Sequence, residues 1–202
     1  MVIAGALFEE SDKPRLKKLG VKDSKLLSIR KMQELFQKII RISKGHKIII
    51  IPPAEIDEFV LSDHLNLNWL EAHKSAEIIN ELKPERAIID SPSNNVVNYK
   101  RYLMKLLKNK KIELWVEHKA DFNHVECSAA SVLAKVTREK EVEKIKKLVK
   151  HDFGSGYTHD ERTIKFLENN IEKYPEIFRK SWATYKSRAA MKNQKGLEEF
   201  GR

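Results

Sequence analysis

Two short apolar runs constrain the fold of this chain most: Ala87-Ile88-Ile89-Asp90, and Lys111 to Val116 leading into Glu117-His118-Lys119-Ala120-Asp121. Each reads as a strand, each runs out to a carboxylate, and each gives way to a helical pattern. Strands that alternate with helices pack as an α/β layer structure. The C-terminal ends of such strands are where ligands gather, because free backbone N–H groups and helix dipoles favour anions there. Asp90 and Asp121 thus hold equivalent places. On neighbouring strands they share one rim, and like charges so placed repel unless a cation sits between them. An oxygen-only pair suits Mg²⁺ or Mn²⁺. Zinc fits poorly, since Cys127 is the only thiol and neither His118 nor His124 has ligand spacing. The bland alternative is a strand-to-helix loop with a solvated Asp121 and a Ser128 that merely caps the next helix.

The rest of the chain supplies the frame. Met1 to Phe8 reads as a buried strand already under way at the first residue, and Ser11-Asp12-Lys13-Pro14 opens a short helix that Gly20 stops. Ser28 caps a longer helix with the stripe Ile29, Met32, Leu35, Phe36, Ile39 and Ile40, which Gly45 ends before a strand from Lys47 to Ile51. Helices follow near Ala54 to Val60 and over Leu67 to Leu82, with Trp69 placed in the core and His64 and His73 read as structural. Ser91-Pro92-Ser93 turns the chain into a helix from about Asn94 to Lys108. Ser128 to about Lys150 is a long helix with Val132, Leu133, Val136, Val142, Ile145 and Leu148 inward. Ser128, Ser131 and Lys135 share a face near its start, which reads either as a phosphate cradle or as a cap, a packing contact and a solvated lysine. Phe153-Gly154-Ser155-Gly156-Tyr157 is a loop that presents Tyr157, either to stack on a base or sugar or to plug the loop onto the core. Asp160 starts a further helix, and Ser181-Trp182-Ala183-Thr184-Tyr185-Lys186-Ser187-Arg188 begins a last basic one.

Composition narrows the partners. The chain has 202 residues, 39 basic against 29 acidic side chains and a formal charge of +10, which favours a polyanion. No apolar run approaches the ~20 residues of a membrane span, and the apolar start lacks the basic lead-in of a secretory signal. The lone cysteine fits a reducing cytoplasm.

Leu19-Gly20-Val21-Lys22-Asp23-Ser24-Lys25, Ile89-Asp90, Glu117-His118-Lys119-Ala120-Asp121, Ser128-Ala129-Ala130-Ser131 through Ala134-Lys135, Gly154-Ser155-Gly156-Tyr157 and Lys180-Ser181-Trp182 occur in this order. Together they resemble ribonuclease HII, especially its archaeal members, over nearly the whole chain. The resemblance implies an RNase H-like mixed five-stranded sheet with flanking helices and a helical C-terminal region. Residues 1–150 then form the catalytic domain and 151–202 a substrate-binding region. It implies endonucleolytic cleavage of RNA in RNA–DNA hybrids, or at single ribonucleotides in DNA, leaving a 3′-hydroxyl and a 5′-phosphate. The implied chemistry is in-line hydrolysis with two Mn²⁺ or Mg²⁺ ions about 3.5–4 Å apart. Asp90 and Asp121 become two of four metal-binding carboxylates, Tyr157 stacks at the RNA-to-DNA junction, and Ser128, Ser131 and Lys135 lie near the substrate backbone. Asp23, Ser24 and Lys25 border the groove. A cytoplasmic monomer with no membrane role is expected.

One departure stands out. The family pattern includes a first, central strand with an Asp-Glu-Ala-Gly-Arg-Gly-like motif carrying the other two carboxylates, and this sequence does not contain it. Its lack predicts unpaired backbone groups and an apolar slot beside its neighbours, at about 1–3 kcal/mol for each buried bond lost. Two origins fit, a start internal to a longer reading frame or a truncated gene. Two other functional readings also stand, a catalytically inactive hybrid-binding protein and a basic α/β protein with no nucleic-acid role.

Overall fold

The computed structural model describes residues 1–21, 28–62 and 66–190. Twelve named elements run in the order β1 (Val2–Leu7), α1 (Lys13–Lys18), α2 (Ile29–Ile42), β2 (Gly45–Ile50), α3 (Pro53–Leu61), α4 (Leu67–Leu82), β3 (Arg86–Asp90), α5 (Val96–Leu106), β4 (Glu113–Glu117), α6 (Ala120–Asn123), α7 (Val125–Val149) and α8 (Glu161–Asn170). They divide between two compact units. One comprises Val2–Ile50 with Asn66–Glu139; the other comprises Met1, Ile51–Leu65 and Lys140–Arg202.

In the first unit β1 pairs antiparallel with β2, and β3 pairs parallel with β4. The predicted mixed α/β class is therefore present, as two separate two-stranded sheets. One core gathers Leu16, Leu35, Phe36 and Ile39 against Val132, Leu133 and Val136 of α7. A second packs Ala72, Ala76 and Ile79 of α4 on Tyr99, Leu103 and Leu114. Trp69 joins that second core, its ring 4.2 Å from Tyr102 and 6.3 Å from Tyr99. His73 bonds the Tyr102 hydroxyl at 2.9 Å, so its structural reading holds, whereas His64 lies outside the described residues. In the second unit the end of α7 (Val142, Val149) packs with Phe153, Phe166, Leu167 and Phe178.

Several local expectations need correction. Ser28 does cap α2, its hydroxyl accepting from the Lys31 N–H, but Ile29 is 57% exposed, as Arg30 and Lys31 beside it in the first turn are too, so the core begins a turn later on the same stripe. Gly45 belongs to β2; the helix already stops at Ser43, whose backbone turns extended. The long helix begins at Val125, before Ser128, and Leu148 is 67% exposed while its neighbour Val149 is buried. One residue is a rotation of about 100° on a helix, enough to exchange core for solvent.

A cavity lies between β1 and β3. It measures about 1150 Å³ and is lined by both strands, by Ile78, Ile79 and Leu82 of α4, and by Ala130, Ser131 and Ala134 of α7.

Candidate active site

Asp90 closes β3, where its partner across the ladder is Glu117, the last residue of β4. After Glu117 the chain reverses at Lys119, which adopts left-handed backbone at φ 58°. A lysine there costs about 1–2 kcal/mol, and burial, three hydrogen bonds and one ring contact hold the turn in place. Ala120 is fully buried. Its N–H donates to Asp90 Oδ1 at 3.2 Å. Glu117 Oε1 accepts from Asn123 Nδ2 at 2.8 Å and pairs with His124 Nε2 at 3.0 Å, with the His124 ring edge-on to Trp115. The turn so fixed is α6, and it carries Asp121.

Ser128 does not cap α7. It is only 2% exposed, and its hydroxyl donates to the Asp121 backbone carbonyl, tying α7 to the turn that bears the carboxylate. Burial, with the charges of Asp90 and Asp121, pushes the Cys127 thiol up to about 12. Asp90, Asp121, Cys127 and Ser131 all line the cavity, together with Glu126, which pairs with Lys13 at 2.9 Å. Lys135 is half-buried one turn beyond Ser131 on α7. The structure therefore brings Asp90, Asp121 and Ser131 to one concavity and places Ser128 beneath it. Asp23, Ser24 and Lys25 lie outside the described residues. Two carboxylates facing one cleft suit a hard divalent cation, and among the described residues no third His, Cys, Asp or Glu joins them in a metal-holding group.

The second unit holds Tyr157. Gly154 (φ 82°) and Gly156 (φ 74°) fold the loop through left-handed backbone. Asp160 Oδ2 accepts from the Ser155 N–H at 2.8 Å and Oδ1 from the Arg162 N–H at 3.0 Å. These bonds, with the Arg162 guanidinium, hold the Asp160 carboxyl far below the usual range. Thr163 Oγ1 accepts from Gly156 and donates to the Phe153 carbonyl. On this frame Tyr157 is 45% exposed, stacked on His159 at 5.3 Å. In the same unit Asp57, 8% exposed, accepts from the Lys180 and Ser181 N–H groups at 2.8 Å each. Arg179 lies 5.5 Å above the Trp182 ring.

Reading the sequence missed Glu117, Cys127 and Asp57 as organising residues, and saw Asp160 only as a helix start. Asp160 was the most accessible of these, since a capping carboxylate four residues after Gly156 is placed to gather the loop's N–H groups. Nothing in the local pattern around Asp57 points across to residues 180 and 181.

The family model of ribonuclease HII matches residues 1–185. This span contains Asp90, Asp121, Ser128, Ser131, Lys135 and Tyr157. The chain belongs to the ribonuclease HII family. A ribonuclease HII of Methanococcus maripaludis is 41% identical over 194 residues, 93% of this chain and 80% of that protein. Ribonuclease HII of Pyrococcus horikoshii is 38% identical over 209 residues, 99% of this chain and 91% of its own. Among solved structures, the Pyrococcus horikoshii ribonuclease H2 superposes with a TM-score of 0.81 at 33% identity, covering 93% of this chain and 97% of that one. Ribonuclease HII of Archaeoglobus fulgidus, solved as a complex with PCNA, gives 0.78 at 36% identity over 92% and 86%. The RNase H-like fold class and the archaeal-type ribonuclease HII resemblance read from the motifs are thereby established.

Proposed function

We propose that this chain acts as a metal-dependent endoribonuclease on RNA–DNA hybrids and on single ribonucleotides within DNA, leaving a 3′-hydroxyl and a 5′-phosphate. The observation that carries this reading is that Asp90 and Asp121 line one cleft. Water adds to the phosphorus, the bond from phosphorus to the 3′-oxygen breaks, and that oxygen leaves with a proton. Asp90 and Asp121 supply two of the carboxylates that hold Mn²⁺ or Mg²⁺, and the two ions, when bound, supply water activation and charge neutralisation at the leaving oxygen. Asp90 also fixes the α6 turn through the Ala120 N–H, so one side chain orients the residue that carries the other. Ser128 positions Asp121 from below.

Ser131 and Lys135 serve the substrate backbone, with Ser24 and Lys25 along the groove. Tyr157 stacks at the RNA-to-DNA junction, where a 2′-hydroxyl distinguishes RNA from DNA. Residues 1–150 carry the chemistry and 151–202 bind substrate, in a cytoplasmic monomer. Among the described residues no helix is long and apolar enough to cross a membrane.

The test incubates the chain with Mn²⁺ and a duplex bearing one ribonucleotide. Cleavage at the ribonucleotide, reduced at least ~10³-fold by Asp121→Asn, is the expected result, since loss of a metal-binding carboxylate removes the ions' contribution of several kcal/mol. Tight binding without cleavage overturns the enzymatic reading in favour of a hybrid-binding protein.

A further inference from the structure

We propose that His159 is a positioning residue for Tyr157, holding its ring as a fixed, one-sided platform for a base or sugar of the ribonucleotide-bearing duplex. This rests on the proposed place of Tyr157 at the RNA-to-DNA junction. The two rings lie 5.3 Å apart with 15° between their planes, the offset-stacked arrangement that aromatic pairs favour. Both residues are exposed, Tyr157 at 45%, so the stack forms at the surface and is not part of the core. Backbone on either side is fixed. The Tyr157 N–H donates to Ser155 Oγ at 3.3 Å, and the Tyr157 carbonyl accepts from the Asp160 N–H at 3.1 Å. That second bond closes a turn with Thr158 and His159 at its centre. Asp160 is anchored by the Ser155 N–H, and the Gly156 N–H by Thr163 Oγ1.

The labour divides between these groups. Asp160 and Thr163 bond backbone N–H groups and so set the path of the loop, whereas His159 meets the ring itself. A tyrosine on a fixed backbone still has its side-chain torsions to settle. Binding that selects one arrangement loses the entropy of the others, and ordering such a side chain in advance corresponds to about 2–10-fold in affinity. His159 supplies that order in the free protein. It also decides the side from which substrate arrives: with one ring face set against the imidazole, stacking falls to the opposite face. A base placed there extends the same column of imidazole, phenol and base, and such stacking is tolerant of base identity because every base has a π-face.

The experiment uses the full chain and a fluorescein-labelled duplex bearing one ribonucleotide, with EDTA present so that no cleavage intervenes. Affinity is read by anisotropy, and the Tyr157 ring signals of the free protein by NMR. Tyr157→Ala is expected to weaken binding at least ~5-fold, the loss of one stacked base. His159→Ala shifts the Tyr157 ring signals and weakens binding about 2–10-fold. His159→Phe, which keeps a ring at the stacking distance, restores wild-type affinity. In the Tyr157→Ala background His159→Ala costs nothing further, because a positioning residue acts only through the residue it positions. Tyr157 ring signals or affinity unchanged by His159→Ala overturn the proposal. So does a loss of the same size with and without Tyr157, which would make His159 a direct contact, and so does a loss that Phe does not repair. Unchanged binding by Tyr157→Ala overturns the junction reading itself, and the proposal with it, so the two failures are distinguishable.

Discussion

Ser128 carries more of the candidate site than its size suggests, because one buried hydroxyl links the long helix to the turn that bears Asp121. Ser128→Ala leaves the Asp121 carbonyl without that donor, at about 1–3 kcal/mol. For a chain of this length a melting temperature lower by about 2–12 °C is expected, read by calorimetry, together with slower cleavage of a ribonucleotide-bearing duplex. Its neighbour Cys127 makes a different prediction. Burial and two adjacent carboxylates keep the thiol protonated up to about 12. At pH 8 the native protein is expected to react with iodoacetamide more than ~100-fold more slowly than the guanidinium-unfolded chain, since the thiolate is the nucleophile. Equal rates would show that the Cys127 thiol is not shielded in the native protein. These two roles were not legible in the sequence. Ser128 reads as an N-cap because the helical pattern strengthens there, yet the helix begins at Val125, and only the fold shows where the hydroxyl points.

Among the elements, the loop before α8 depends on a side chain outside it. A Cβ at Gly154 would lie 2.4 Å from Asp160 Oδ2, on backbone at φ 82°. Gly154→Ala must therefore displace the carboxylate that gathers the loop's N–H groups. About tenfold weaker binding to a ribonucleotide-bearing duplex is expected by fluorescence anisotropy, corresponding to ~1.4 kcal/mol. The α3 helix depends on a similar contact. Burial raises the Asp57 pKa, but hydrogen bonds from Ser181 and Lys180 outweigh it, and the net shift is downward. A carboxylate with a lowered folded pKa stabilises above its unfolded value of about 3.9, and that stabilisation is lost as pH falls through the folded value. Acid titration is expected to weaken the packing of residues 180 and 181 on α3 below about pH 4, read by exchange of their amides. Asp57→Asn should abolish that pH dependence, with a loss of about 1–3 kcal/mol at neutral pH. Elements of this kind were legible as far as local signals reach. The capping residues Ser28 and Asp160, the glycines of the loop and the bounds of α4 all follow from chemistry within a few residues. Pairings such as Asp57 with Lys180 do not, because a buried acid on a short helix carries no mark of which distant N–H groups will satisfy it.

At the scale of the whole molecule, the charge of +10 is the broadest functional signal in the composition. If six to ten phosphates are contacted, hybrid affinity is expected to fall about 10³–10⁵-fold between 50 and 200 mM salt. A flat salt response in a titration would argue against a nucleic-acid partner. Family and fold class were legible from motifs, because each motif combines a backbone requirement with a chemical one, whereas Asp121, read as closing a strand, lies on α6 beyond Glu117, the last residue of β4. The division into two compact units was harder to see, since each unit draws on segments far apart in the sequence.

That division has a consequence in time. The Asp57 carboxylate meets Lys180 across 123 residues of sequence. A ribosome adding about 5–20 residues per second takes roughly 6–25 s to cover that distance. Throughout that interval the emerging α3 segment has its apolar face made and its C-terminal anchor not yet synthesised, whereas β1 and β2 need fewer than 50 residues to meet. Synthesis itself therefore sets an order of assembly, in which the segment around Asp57 stays without its partner throughout that interval.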